Sequence, residues 1–166
     1  MNLNENAKVT DGFSLDVNKS INEFLSMDVN MKIELFDGEG TLKQRELTHN
    51  TMTTAGKNGI ASQIASTPAL PKAAWMELGT GTGGTTLLNA YIVASRTAVT
   101  SYIAAGAITT YICTFGAGVG TGAVTEAGLF DVVTQNTINM WTYGSFAVVN
   151  KLAADSIVLT WTITIS

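Results

Sequence analysis

Two carboxylates and a glycine-rich loop are the first residues to test for chemistry. Glu77 and Glu126 are the only acidic side chains between Glu46 and Asp131. Paired carboxylates hydrolyse glycosidic bonds, one as proton donor and the other as nucleophile or base, and their separation decides the outcome. The structural reading of Glu126 is the stronger one. It precedes Ala127-Gly128, so its carboxylate can accept hydrogen bonds from turn amides or pair with Arg96, which otherwise stands alone in a charge-poor stretch. Gly79, Gly81 and Gly84 formally satisfy the glycine spacing of dinucleotide-binding loops. No acidic residue follows about 20 positions on to hold a ribose, and no Gly-Lys-Ser/Thr ending is present, so the loop reads as a turn.

His49 is the only histidine. It leaves no material for a histidine metal cluster or a Ser-His-Asp triad, and with Asp37, Glu39 and Glu46 it makes at most a weak cation site. Cys113 is the only cysteine, so the chain forms no internal disulfide. It falls inside a predicted strand, where a small buried hydrophobe is the natural role. These residues point to a protein that is not an enzyme and needs no cofactor.

The elements that would position them are mostly strands. Residues 29–36 alternate Val29, Met31, Ile33 and Leu35 with Asn30, Lys32 and Glu34, and residues 37–40 supply a tight reversal into a returning strand over 42–47. Thr53 or Thr54 caps a short helix running to about Ser66, with Ile60, Ala61, Ile64 and Ala65 as its buried stripe; Pro68 and Pro71 stop it. Further strands are predicted over 74–78, 108–115, 128–133, 140–149 and 156–165. In the last, Ile157, Leu159, Trp161, Ile163 and Ile165 share one face, and each buried aliphatic contributes roughly 1.5–3 kcal/mol. Many short strands with Gly-rich turns predict an antiparallel β-sandwich or jelly-roll-like barrel with one short helix. Before it, residues 1–28 read as an extended arm that orders on a partner, with plain disorder as the alternative and a helical turn possible over 20–26; residues 29–166 form the sandwich domain.

Charge is divided unevenly. Residues 1–50 hold nine of the thirteen acidic and five of the nine basic residues, leaving four of each for the other 116. Thr, Ser and Asn could solvate the outer strand faces, but burial of those faces against neighbouring subunits explains the depletion better. A net charge of −4 with so few basic residues excludes a nucleic-acid surface. The uncharged run over 97–125 is long enough to suggest a membrane span, but five glycines break it and its alternation favours a strand. The N-terminus shows no positively charged start followed by an apolar run, so synthesis and assembly in the cytoplasm are expected. Gly116, Gly118, Gly120 and Gly122 read as a loop that orders at an interface. Trp141, Tyr143 and Phe146 are its candidate anchors, although one or two could fill the core beside Trp75 and Trp161.

Five pieces occur in a telling order: His49-Asn50 leading to Ala55-Gly56, Leu78-Gly79-Thr80-Gly81, Arg96, the Glu-Ala-Gly-Leu-Phe turn of residues 126–130, and Val149-Asn150-Lys151 before the closing strand. Over residues 46–166 this order resembles a group of tailed-bacteriophage virion proteins related to tail-collar and fibre-attachment domains. The resemblance implies assembly with other virion proteins and no catalytic residues. The expectation is a capsid decoration or cement protein bound to the major capsid protein. The alternative is a tail, collar or baseplate component. Either would be a symmetric homo-oligomer, with a trimer favoured, and Trp141, Tyr143, Phe146, Arg96 and Glu126 are the interface candidates.

Overall fold

The computed structural model describes residues 26–65 and 67–166. Strand β1 (Met27–Phe36) returns through β2 (Leu42–His49), as the alternation predicts. Asp37 shapes the reversal, its Oδ1 accepting from the backbone N–H of Glu39 (3.1 Å) and of Thr41 (2.7 Å). The chain continues through β3 (Thr51–Met52), helix α1 (Thr54–Ile64), β4 (Trp75–Gly79), β5 (Thr97–Ala98), β6 (Ser101–Ala105), β7 (Ile108–Phe115), β8 (Gly122–Phe130), β9 (Met140–Lys151) and β10 (Ser156–Ile165). Two antiparallel five-stranded sheets result, ordered β2-β1-β10-β7-β6 and β3-β9-β8-β4-β5. The molecule is an antiparallel β-sandwich.

The arm expected over residues 1–28 lies outside the described residues except at its end. There Met27 and Asp28 open β1, and Ser26 exchanges backbone hydrogen bonds with Ser166 (2.7 and 3.0 Å), so the body begins before residue 29 and Ser26 is not helical. Strand β10 lies at the centre of the first sheet, registered against β1 and β7 over nearly its whole length. Its Ile157, Leu159, Trp161 and Ile163 meet Val29, Met31, Ile33 and Leu35 in the core, all at most 4% exposed. Cys113 is buried in the same core, and burial pushes its thiol up to about 12, which leaves it an inert hydrophobe.

Thr53 caps α1, its hydroxyl accepting from Gly56 N–H at 3.1 Å. The buried stripe is not the one the spacing suggested. Ile60 is half-buried, but Ala61, Ile64 and Ala65 are exposed, and Gly56 and Gly59 carry the packing. A Cβ at Gly59 would overlap the Trp141 indole, and one at Gly56 would overlap the Trp141 carbonyl. The helix therefore docks backbone-first on β9, and glycines that lower its intrinsic propensity are what allow the approach.

Strand β8 starts at Gly122 and ends at Phe130, earlier at both ends than predicted, so Glu126 stands mid-strand beside a bulge rather than before a turn. The glycine loop over 116–121 is held rather than free. Gly118 N–H donates to Ala153 O (2.7 Å), and Lys151 Nζ donates to Gly116 O (3.0 Å) and Asp155 O (2.7 Å).

Candidate functional site

The second sheet is covered on both faces, and that decides what its carboxylates can do. Met76, Leu78, Ala127 and Leu129 face the sandwich core. The opposite face holds Glu77, Gly79, Glu126, Gly128 and Phe130, and the chain over 80–96 folds back across it. Thr80 N–H donates to Ala90 O and Ile92 N–H to Leu78 O, each at 2.8 Å. Under this flap Leu88, Phe130 and Met140 form a second small core, flanked by Trp75, Tyr91 and Tyr143.

Glu77 lies opposite Gly128, and Glu126 opposite Gly79, so the two carboxylates are diagonal neighbours on one face. Each has a different set of partners. Glu126, with no exposed surface, accepts through Oε1 from Gly81 N–H (3.2 Å) and Ala90 N–H (2.8 Å), and through Oε2 from Asn89 N–H (3.3 Å) and the Tyr143 hydroxyl (3.1 Å). Tyr143 in turn accepts from Gly83 N–H at 2.6 Å. The loop that resembles a phosphate cradle thus closes on the protein's own carboxylate. Any Cβ at Gly79 would collide with that carboxylate. Burial first, and the neighbouring Glu126 charge as well, hold the Tyr143 phenol above its ordinary range, which keeps it a donor.

Glu77 takes Arg96. Arg96 Nη2 donates to Glu77 Oε2 at 2.8 Å, with both side chains 2% exposed. Arg96 Nη1 donates to Val132 O at 2.7 Å, and the guanidinium lies 3.5 Å from the centroid of the Phe130 ring. The other oxygen of Glu77 accepts from Gln135, whose amide also donates to Ile92 O (3.0 Å) and whose Oε1 accepts from Ala94 N–H (2.8 Å). Of the two partners expected for Glu126, backbone amides and Arg96, the structure takes the amides of the flap, and Arg96 pairs with Glu77 instead. With all four carboxylate oxygens engaged and both groups buried, neither can touch a substrate in this conformation. Together they pin two loops to the sheet.

The aromatic candidates are also interior to varying degree. Trp141 is 3% exposed, belongs to the main core and donates through Nε1 to Asp131 Oδ2 at 3.3 Å. Phe146 packs half-buried against that core, and Tyr143 is half-buried on Glu126. Of the interface candidates, Trp141 fills the core, the alternative role expected for one or two of the aromatics, and the side chains of Arg96 and Glu126 are buried in the single chain.

His49 ends β2, while Asp37 and Glu39 sit at the other end in the hairpin turn, so these groups do not converge. His49 Nδ1 lies 3.1 Å from Asp28 instead. Among the described residues no group of three or more His, Cys, Asp or Glu could hold a metal, and no helix is long and apolar enough to cross a membrane. A groove of about 470 Å³ on the outer face of the first sheet is lined by Asn30, Lys32, Leu47, His49, Thr160 and Thr162, and it includes neither paired carboxylate nor Cys113.

What the residue types alone did not reveal is the exposed apolar surface. Ile103 (58% exposed) and Ile108 (44%) share the outer face of β6 and β7, and Tyr102 (60%) stands exposed on the other face of β6. Meanwhile, of the eight charged residues after His49, only Lys57 and Lys72 are exposed. Glu77, Arg96, Glu126, Lys151 and Asp155 have buried side chains, and Asp131 is half-buried. Compared with protein-family models, with curated proteins and with solved structures, the chain matches none.

Proposed function

We propose that this protein is a non-enzymatic structural component of a tailed-bacteriophage virion, a decoration or cement subunit that binds the major capsid protein and stabilises the shell. The observation that carries this reading is the placement of charge. A protein that stays alone in water keeps ionic groups on its outside. Here the body after His49 turns most of its few charges inward, as braces for loops, and leaves Thr, Ser and apolar side chains outside. Depletion of charge is what a surface shared with neighbouring subunits requires, since each charge buried on assembly would need a partner. Binding spread over area then does the work, within a symmetric homo-oligomer.

The order of motifs that resembles collar and fibre-attachment domains favours a second reading, a tail, collar or baseplate component. Quantitative mass spectrometry of purified particles separates the two. A cement protein stands at a copy number comparable to the major capsid protein; a handful of copies per particle means the tail, and absence from particles removes both.

A further inference from the structure

Among the described residues, the first sheet ends on two unlike edges. Strand β2 carries Lys43, Arg45 and Glu46, the kind of charged edge that resists further pairing. Strand β6 reads Ser-Tyr-Ile-Ala-Ala, with no charge, no proline and no register shift against β7, and four of its five residues are exposed. An edge strand directs alternate N–H and C=O groups away from its sheet, which is where another strand adds. The face beside it continues the same chemistry. On the outer side Ile103 stands opposite Thr110 and Ala105 opposite Ile108, and the next strand presents Val158, Thr160, Thr162 and Thr164. On that outer face charge begins at β1, where Lys32 stands opposite Thr160 and Glu34 opposite Val158; on the other face of β6, Lys72 donates to the Tyr102 hydroxyl at 3.0 Å and lies 4.4 Å from the centre of its ring.

We propose that β6 is a self-association edge: two copies of this chain align β6 antiparallel about a twofold axis, joining two five-stranded sheets into one of ten strands. The register centred on Ile103 places Ile103 opposite its own copy and Tyr102 opposite the second copy's Ala104, a large ring over a small residue. Twofold contacts set residue i against j and j against i, so a charged edge pairs only in a register that matches opposite signs and desolvates each of them. Strand β6 has no charge to match, whereas the same operation on β2 would crowd Lys43, Arg45 and Glu46 from two copies into one short ladder. Five residues at about 3.3 Å each give a contact roughly 17 Å long. A ladder that short buries less area than a standard interface of about 1,600 Å², so pairing is weak in dilute solution and strengthens where copies are held close together, as on a particle. This twofold contact rests on the self-assembly in the proposed function and favours a dimer over a trimer as its unit.

Ile103→Cys in the full-length chain tests it. Cys113 has no exposed surface, so oxidation of the folded variant reads the new thiol alone. Across a directly opposed pair the Cα atoms stand about 4.5–5.5 Å apart, within reach of a disulfide, and a covalent dimer is expected. Sedimentation of the unmodified chain should show a monomer–dimer equilibrium whose dissociation constant rises roughly tenfold or more in Ile103→Lys. Val93→Lys, at an exposed position in the flap over the other sheet, should leave it unchanged. A chain monomeric at all concentrations with no cross-link, or a dimer indifferent to Ile103→Lys, overturns the pairing. So does a monomer in which the β6 amides directed away from β7 resist hydrogen exchange, because its own chain then fills the edge. Low copy number in particles would sink the cement reading and leave these results standing, so the two failures are distinguishable.

Discussion

Replacing Arg96 by Met should be among the most damaging single changes outside the main core. Methionine keeps the length and packing of the stem but removes the guanidinium, with its 2.8 Å contact to Glu77, its 2.7 Å contact to Val132 O and its stacking on Phe130. Hydrogen bonds to charged groups contribute about 1.5–3 kcal/mol each, and a desolvated cation over a ring about 2, part of which the thioether recovers. Glu77 would be left buried with only Gln135 beside it. A loss of about 3–5 kcal/mol follows, the range for breaking a buried ion pair by removing one partner. For a chain of this size that lowers Tm by about 6–20 °C. Glu77→Gln should cost a comparable amount, leaving the guanidinium unpaired. The double variant should lose far less than the two singles together, because no uncompensated charge remains. Urea unfolding of all four proteins measures the coupling. If the losses simply add, Glu77 and Arg96 do not act as one brace, and the account of the flap fails.

Two other perturbations read separate parts of the structure. Gly59→Ala raises helix propensity by up to about 1 kcal/mol yet drives a methyl into the Trp141 ring, so a net loss of about 1–2 kcal/mol is expected in urea midpoints, and any stabilisation would refute the docking of α1. For pH, the Lys32 hydrogen bond foremost, helped by Arg45, holds Glu34 below its ordinary range, while Lys43, with the Leu152 N–H, does so for Asp155. Carboxylates depressed in the folded state contribute stability that is complete above their unfolded values and lost as pH falls through the folded ones. Urea midpoints should therefore hold steady from pH 7 to about 5 and decline below about pH 4.5, and Lys43→Gln should flatten that decline.

Much of the first sheet was legible because its residues face two different media. The alternation in β1 and β10 separates core from solvent, and period-2 patterning reports that contrast directly. The second sheet was harder for the same physical reason. Strands β4 and β8 are buried on both faces, so Trp75–Gly79 and Gly122–Phe130 show no clean alternation, and their boundaries shifted. The partner of Arg96 was not readable at all. Glu77 and Glu126 lie 49 positions apart in sequence yet sit two residues apart in register, and a choice between them depends on where the flap crosses the sheet. The stripe of α1 failed because hydrophobicity scoring favours Ile64, which is 80% exposed, over glycines that pack by having no side chain. Strand β6 was hidden within a long uncharged run whose polarity does not change from one face to the other.

That last failure bears on function. A buried ion pair stabilises a fold no more, and often less, than apolar residues of equal volume would, so the arrangement of Glu77, Arg96 and Glu126 is better understood as specification than as stability. Each fixes one loop in one place: Glu126 closes the glycine loop through three backbone amides and Tyr143, and Glu77 with Arg96 and Gln135 holds the segments around Ile92 and Val132. Long uncharged loops on a charge-poor sandwich would otherwise sample many conformations, at a cost in ordering whenever a neighbour binds. Internal charges meet that cost during folding and leave the outside after His49 with few ionic groups, Lys57 and Lys72 being the exposed ones, for a contact to desolvate. In the assembly role proposed above, the same economy suits the chain to joining flat surfaces, and the uncharged edge at Ser101–Ala105 is the place proposed for one such contact.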